Sequence, residues 1–151
     1  MTLESLKDLS IVGAGVIALT TFFSGVMEYA RQNHTKRAEQ FVLMRRRFLE
    51  DPLFRDILNC LATDDPKLAK FPIQDRRNFI GFLEEVALMV NSRIIRREIA
   101  HYMFGYYVLL ADKSQNLWTE LDRESVYWTV FRNFAALMRK IGPATADDLR
   151  F

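Results

Sequence analysis

The sequence predicts an all-α protein: one N-terminal transmembrane helix running on into a juxtamembrane helix, then a cytoplasmic bundle of about four helices. Three observations carry this. Apolar residues recur at steps of three and four through most of the chain. No stretch alternates polar and apolar residues for long enough to argue a sheet. Leu9 to Met27, LSIVGAGVIALTTFFSGVM, is 19 consecutive residues without a charge or a proline.

Taken in order, that apolar run comes first. At about 1.5 Å rise per residue it makes roughly 28 Å of helix, close to the hydrocarbon thickness of a bilayer. Its flanks do not suit a cleaved signal peptide: MTLESLKD carries Glu4, Lys7 and Asp8, and Glu28-Tyr29-Ala30-Arg31 offers no small-x-small cleavage site. The formal net charge is +2, from 21 Lys plus Arg against 19 Asp plus Glu, and it is unevenly placed. Residues 30–50 hold six basic residues, Arg31, Lys36, Arg37, Arg45, Arg46 and Arg47, against Glu39 and Glu50, whereas residues 51–151 are balanced. Under the positive-inside rule the short N-terminus is expected outside a bacterial inner membrane and the remainder in the cytoplasm. The expected divisions are a tail and span over 1–29, a basic juxtamembrane helix over 30–50, a helical cytoplasmic domain over 51–143 and a C-terminal tail over 144–151.

From residue 29 to residue 50 there is no proline or glycine, so one helix is expected, with Ala38, Phe41, Val42, Phe48 and Leu49 on one face. Asp51-Pro52 reads as a stop and restart, Asp51 as N-cap and Pro52 at the first helical position. The next helix turns Leu53, Phe54, Ile57, Leu58 and Leu61 inward and ends near Thr63-Asp64-Asp65-Pro66, and a loop with a short turn leads to Phe71-Pro72. The longest helix starts near Gln74 with Phe79, Phe82, Leu83, Val86, Ala87 and Val90 facing the core. Asn91-Ser92 breaks it and caps a helix expected from near Arg93, with a stripe of Ile95, Ile99, Tyr102, Met103, Tyr106, Leu109 and Leu110. A loop from Asp112 to Leu121 leads to Asp122 as N-cap of the last helix, patterned by Tyr127, Val130, Phe131, Phe134, Leu137, Met138 and Ile141 and stopped by Gly142-Pro143.

The layout of a span, a basic helix, Asp75-Arg76-Arg77-Asn78-Phe79-Ile80-Gly81-Phe82-Leu83-Glu84-Glu85-Val86-Ala87 and the later Phe104-Gly105-Tyr106-Tyr107 resembles a family of bacterial single-pass membrane proteins with a helical cytoplasmic domain. The resemblance covers most of the chain and implies this layout; it carries over no activity.

Several chemistries are expected to be absent. Cys60 is the one cysteine, which excludes an intrachain disulfide or a cysteine-based zinc site, and it lies on an apolar helix with no basic neighbour to make it a thiolate. No G-x-S-x-G and no glycine-rich phosphate loop occurs. Glu98-Ile99-Ala100-His101 has the Glu-x-x-His spacing of di-iron bundles, but His34, the other histidine, has Arg31 three residues before it, so the ligand set is incomplete. No catalytic residue, metal or cofactor is therefore expected. Arg45, Arg46 and Arg47 point about 100° apart on a helix and precede a neutral domain, which argues for topology and attraction to anionic lipid, and against DNA.

Two features point to partners. Ala14, Ala18, Thr21 and Gly25 set small residues on one face of the span, suited to close helix packing in a homo-oligomer or with other membrane subunits. Arg93, Arg96 and Arg97 fall together in the first turn of a helix expected from near Arg93, where positive charge is disfavoured; Glu84 or Glu85 could compensate internally. Alternatively an anionic second messenger such as a cyclic nucleotide could bind them, with Arg76 and Arg77 joining. The expected function is thus protein–protein interaction at the membrane, and the alternative is a ligand-gated membrane effector.

Overall fold

The computed structural model describes residues 19–25, 27, 28 and 39–142. Every regular element among the described residues is helical. The chain divides into two compact units, Met1–Glu39 and Gln40–Phe151. In the first, residues 19–25, 27 and 28 are helical, Leu19, Phe22, Phe23 and Met27 are exposed, and the Phe22 and Phe23 rings meet edge to face. No helix among the described residues is long and apolar enough to cross a membrane. Most of the expected span Leu9–Met27 lies outside the described residues, as do Ala14, Ala18, Arg31, Lys36, Arg37 and the tail 144–151.

The second unit begins inside the expected juxtamembrane helix. Helix α1 (residues 39–50) contributes Phe41 and Phe48, each 1% exposed, to the core. Val42 and Leu49, expected beside them, lie about 100° further round the helix and face solvent. Asp51 then does what its sequence position predicts. Its Oδ1 accepts from Leu53 N at 2.9 Å and Phe54 N at 3.3 Å, and Pro52 opens helix α2 (Pro52–Leu61). Helix α2 closes in a Schellman motif. Asp64, at φ 49, occupies the left-handed position, Asp65 N donates to Cys60 O and Asp64 N to Leu61 O. A short 3-10 turn, Pro66–Lys70, follows and buries Leu68.

Helix α3 (Ile73–Asn91) is the central element, burying Phe79, Ile80, Phe82, Leu83, Val86 and Ala87. Phenylalanines from three helices meet there: Phe48 stacks on Phe82 at 5.2 Å, and Phe54 meets Phe79 and Phe82 edge to face. Such pairs add roughly 0.5–1.5 kcal/mol each beyond the area they bury. α3 ends in a second Schellman motif, with Ile94 N donating to Met89 O and Arg93 N to Val90 O. Arg93 takes the left-handed position, at φ 55, that glycine usually fills.

The next helix departs from expectation twice. It starts at Arg97, with Arg96 as an extended N-cap residue, because the Schellman closure consumes Ser92 to Ile94. It also contains a π-helical turn, His101–Gly105, between α4 (Arg97–Ala100) and α5 (Tyr106–Lys113). A π turn inserts one residue and advances the buried stripe by one. The stripe after Ile99 is therefore Phe104, Val108 and Ala111, not Met103, Tyr106 and Leu110, and Tyr102 and Tyr106 are exposed. Asp112, expected in a loop, is inside α5 and 3% exposed.

Residues 114–128 form an irregular segment held by polar clips. Helix α6 (Thr129–Lys140) then buries Phe131, Phe134, Ala135 and Met138. Its start lies later than expected. Asp122 accepts from Glu124 N within a turn, a 3-10 turn over Val126–Trp128 precedes α6, and Tyr127 consequently faces solvent.

Candidate functional site

Three places on the second unit have the chemistry to engage something else. The first is a pocket of about 340 Å³ at the α3–α4 turn, lined by Val90, Arg93, Ile95, Arg96, Arg97 and Glu98. The turn gathers the three arginines because α3 closes at Arg93 and α4 opens at Arg97. Arg97 Nε donates to Glu98 Oε1 at 2.8 Å. That hydrogen bond, with the charges of Arg97 and Arg96, holds the Glu98 carboxyl below its ordinary range. Arg97 thus engages Glu98, and Arg93 and Arg96 line the same pocket.

Arg76 and Arg77 do not join it. Arg76 is 1% exposed and fully committed: Nη1 donates to Leu117 O at 3.0 Å and Thr119 O at 2.5 Å, Nε to Phe71 O at 3.2 Å, and Nη2 lies 3.9 Å from Glu120 Oε2. It pins the 114–121 segment to α3. Arg77 is exposed and lines a separate groove of about 420 Å³ with Arg47, Asp51, Phe82 and Glu85. Nor do Glu84 and Glu85 compensate the arginine triplet. Glu85 lines that groove, and Glu84 Oε1 accepts from Phe131 N at 3.1 Å, capping α6 from α3.

The three consecutive arginines of α1 diverge as helical geometry requires. Arg45 Nη1 donates to the Met103 thioether sulfur, Arg46 pairs with Glu50 at 3.8 Å, and the Arg47 guanidinium lies over the Phe82 ring at 5.9 Å. Of the small residues expected on one face of the span, Thr21 and Gly25 are helical, and a Cβ added at Gly25 would meet nothing within 4 Å.

The third place was hidden in the sequence. On either side of the Arg45–Met103 contact, apolar and aromatic side chains stand in solvent: Val42 and Leu49 on α1, Tyr102 (65% exposed) and Tyr106 (63%) on the π turn and α5. The two tyrosines are four residues apart on one face, and Tyr106 meets Tyr107 edge to face. The π turn turned this pair outward, and no sequence periodicity announces a π turn.

Two carboxylates, Asp112 buried and Asp64 half-buried, complete the polar structure. Asp112 on α5 accepts from Arg123 Nη2 at 2.6 Å and pairs also with Arg139 of α6. Asp64 accepts from Ser114 Oγ, Gln115 N and Asn116 N. Burial alone would raise the Asp64 carboxyl, but these hydrogen bonds outweigh it and hold it below its ordinary range. Both clips fasten loops. Among the described residues no group of three His, Cys, Asp or Glu is placed to hold a metal ion, and His101 packs its ring against Gly105.

Compared with protein-family models, with curated proteins and with solved structures, the chain matches none.

Proposed function

We propose that this chain is a single-pass protein of a bacterial inner membrane, its N-terminus outside, whose cytoplasmic helical domain works by protein–protein contact as a homo-oligomer or as an accessory subunit. The uncharged run Leu9–Met27 supplies the anchor and the basic residues that follow supply the orientation. The observation that carries the contact reading is the solvent-facing set Val42, Leu49, Tyr102 and Tyr106 beside a core already complete without them. Tyrosine offers large contact area at low conformational cost and is enriched where proteins meet. The test is affinity purification of the full chain from native membranes. A stoichiometric companion, or a second copy of the chain, is expected with the parent and lost in Tyr102→Ser/Tyr106→Ser. A chain that stays soluble without detergent, or whose C-terminal part is digested by protease added outside whole cells, would refute the anchored reading.

A second reading is favoured by one specific observation, three arginines around one pocket: a membrane effector gated by an anionic ligand. In that reading the same companion is captured only with ligand present, or only without it.

A further inference from the structure

We infer that the groove between α3 and the α1–α2 junction binds a short free peptide of two or three residues, its carboxylate against Arg77, its ammonium against Glu85 and its backbone laid over Gly81. The groove shares no lining residue with the α3–α4 pocket or the exposed tyrosines, and the inference stands apart from both readings above.

Gly81 is the observation that leads to it. It lies inside α3, without a left-handed backbone and with nothing within 4 Å of the place a Cβ would take. Alanine would therefore fit there and stabilise the helix, because glycine in a helix interior loses more conformational entropy on folding. Gly105 is different, since the His101 ring leaves it no room for a methyl group. A helical glycine that its own fold does not require lets something else approach the backbone closely. At Gly81 the bare backbone is part of the lining of a groove of about 420 Å³, within the range of small-molecule sites.

Charge sets what the groove takes. Arg77 stands one turn before Gly81 and Glu85 one turn after it, and both line the groove. Both are exposed, and neither side chain has an ionic or hydrogen-bonding partner among the described residues. Eight residues put them about 12 Å apart along the helix. An extended peptide of two or three residues spans roughly 7–11 Å, and the reach of the two side chains covers the remainder. A single amino acid is too short to meet both. The middle of the groove suits a peptide bond. Gln74 Nε2 donates to Asn78 Oδ1 at 2.8 Å, which leaves the Asn78 N–H groups and the Gln74 oxygen, a donor and an acceptor such as one peptide unit needs. On the α1–α2 side, Arg47 lies over the Phe82 ring and Asp51 caps α2, so these two build the wall. An internal segment of a longer chain carries neither terminal charge, which points to a free peptide.

The full chain, purified in nonionic detergent, is melted with trialanine, with its amino-acetylated, carboxamide and doubly blocked forms, and with alanine. A saturable rise in midpoint is expected with trialanine, a smaller one with either singly blocked form, and none with the doubly blocked peptide or alanine. Glu85→Gln should weaken trialanine binding roughly 5-fold, the upper end for a solvent-exposed ion pair, and should no longer distinguish it from the amino-acetylated form. Arg77→Gln should do the same at the other terminus, losing the preference for trialanine over the carboxamide. Gly81→Ala separates binding from folding. Its unliganded midpoint should rise while trialanine binding falls about 10-fold or more, a loss that misfolding does not explain. No rise with trialanine, an equal rise with the doubly blocked peptide or with alanine, or a Gly81→Ala chain that binds like the parent or melts below it overturns the site.

Discussion

Glu84 on α3 and Phe131 on α6 are joined by a hydrogen bond from the Phe131 backbone N–H to the Glu84 carboxylate, 3.1 Å long, across 47 residues of chain. A side chain from one helix thereby caps the start of another, a task the sequence of α6 itself leaves undone. Burial raises the Glu84 carboxyl above its ordinary range, and the Phe131 N–H offsets this only in part. The folded state therefore holds the proton more tightly than the unfolded one. The stabilisation this gives is full below the unfolded value near 4.5 and is lost as pH rises through the raised folded value. Glu84→Gln keeps an acceptor for Phe131 and removes the titration. Urea midpoints taken from about pH 4 to pH 8 should fall in the parent relative to this variant, and parallel profiles would refute the assignment. Asp64, shifted the other way, contributes above 3.8 and loses its contribution as pH drops through its lowered folded value, so the two windows do not overlap.

Arg76 has a different kind of test. Its guanidinium serves three carbonyls and an acidic neighbour while almost wholly buried. Arg76→Leu leaves those carbonyls without their donor and should cost about 3 kcal/mol. Amide exchange should quicken first over residues 114–121, the segment this side chain fastens. Unchanged protection there would show that the segment is held by Asp64, the Trp118–Ala111 hydrogen bond and its buried side chains without Arg76.

Gly105 has no room for a methyl group: a Cβ would lie 2.8 Å from the His101 imidazole. Gly105→Ala should lower stability by about 1–3 kcal/mol. Adding His101→Ala should restore most of it, giving a double-mutant coupling a purely local helix effect would not produce. The same pair of variants reports whether the π turn depends on this contact, since a regular α-helix would return Tyr102 and Tyr106 toward the core and quench their exposure to solvent perturbants.

Arg93→Gly is expected to raise stability slightly. Leaving the left-handed region is worth about 1–2 kcal/mol to an L-residue, and the added freedom of glycine in the unfolded chain takes back about half of it. Chemical denaturation should show a gain near 0.5 kcal/mol. A loss would mean that Arg93 makes contacts that outweigh its backbone strain.

The elements most legible from sequence were those whose signals are local. Asp51-Pro52 announces the α1–α2 junction because an Asx cap and an N1 proline act within four residues. Phe79, Phe82, Leu83 and Val86 read correctly as core because α3 is an unbroken helix and its period holds. The same method failed one helix later. There the π turn at His101–Gly105 shifts the phase by a residue, so Tyr102 and Tyr106 read as buried when they stand exposed. The candidate pocket was half legible. Proximity in sequence put Arg93, Arg96 and Arg97 together, yet nothing local says that Arg76 turns inward to carbonyls 41 and 43 residues away. Arginine at a core position is readable only when the groups it must satisfy are known.

Phe41 and Phe48 set a practical boundary. Both rings fill the interior from α1, against Phe104 and Phe82. A recombinant fragment opening at Asp51, where composition suggests a clean cut, would lack both plugs and expose the aromatic socket that receives them. One opening at Glu39 would keep them, and the contrast in expression yield between the two is a direct readout of how much of this domain is built from α1.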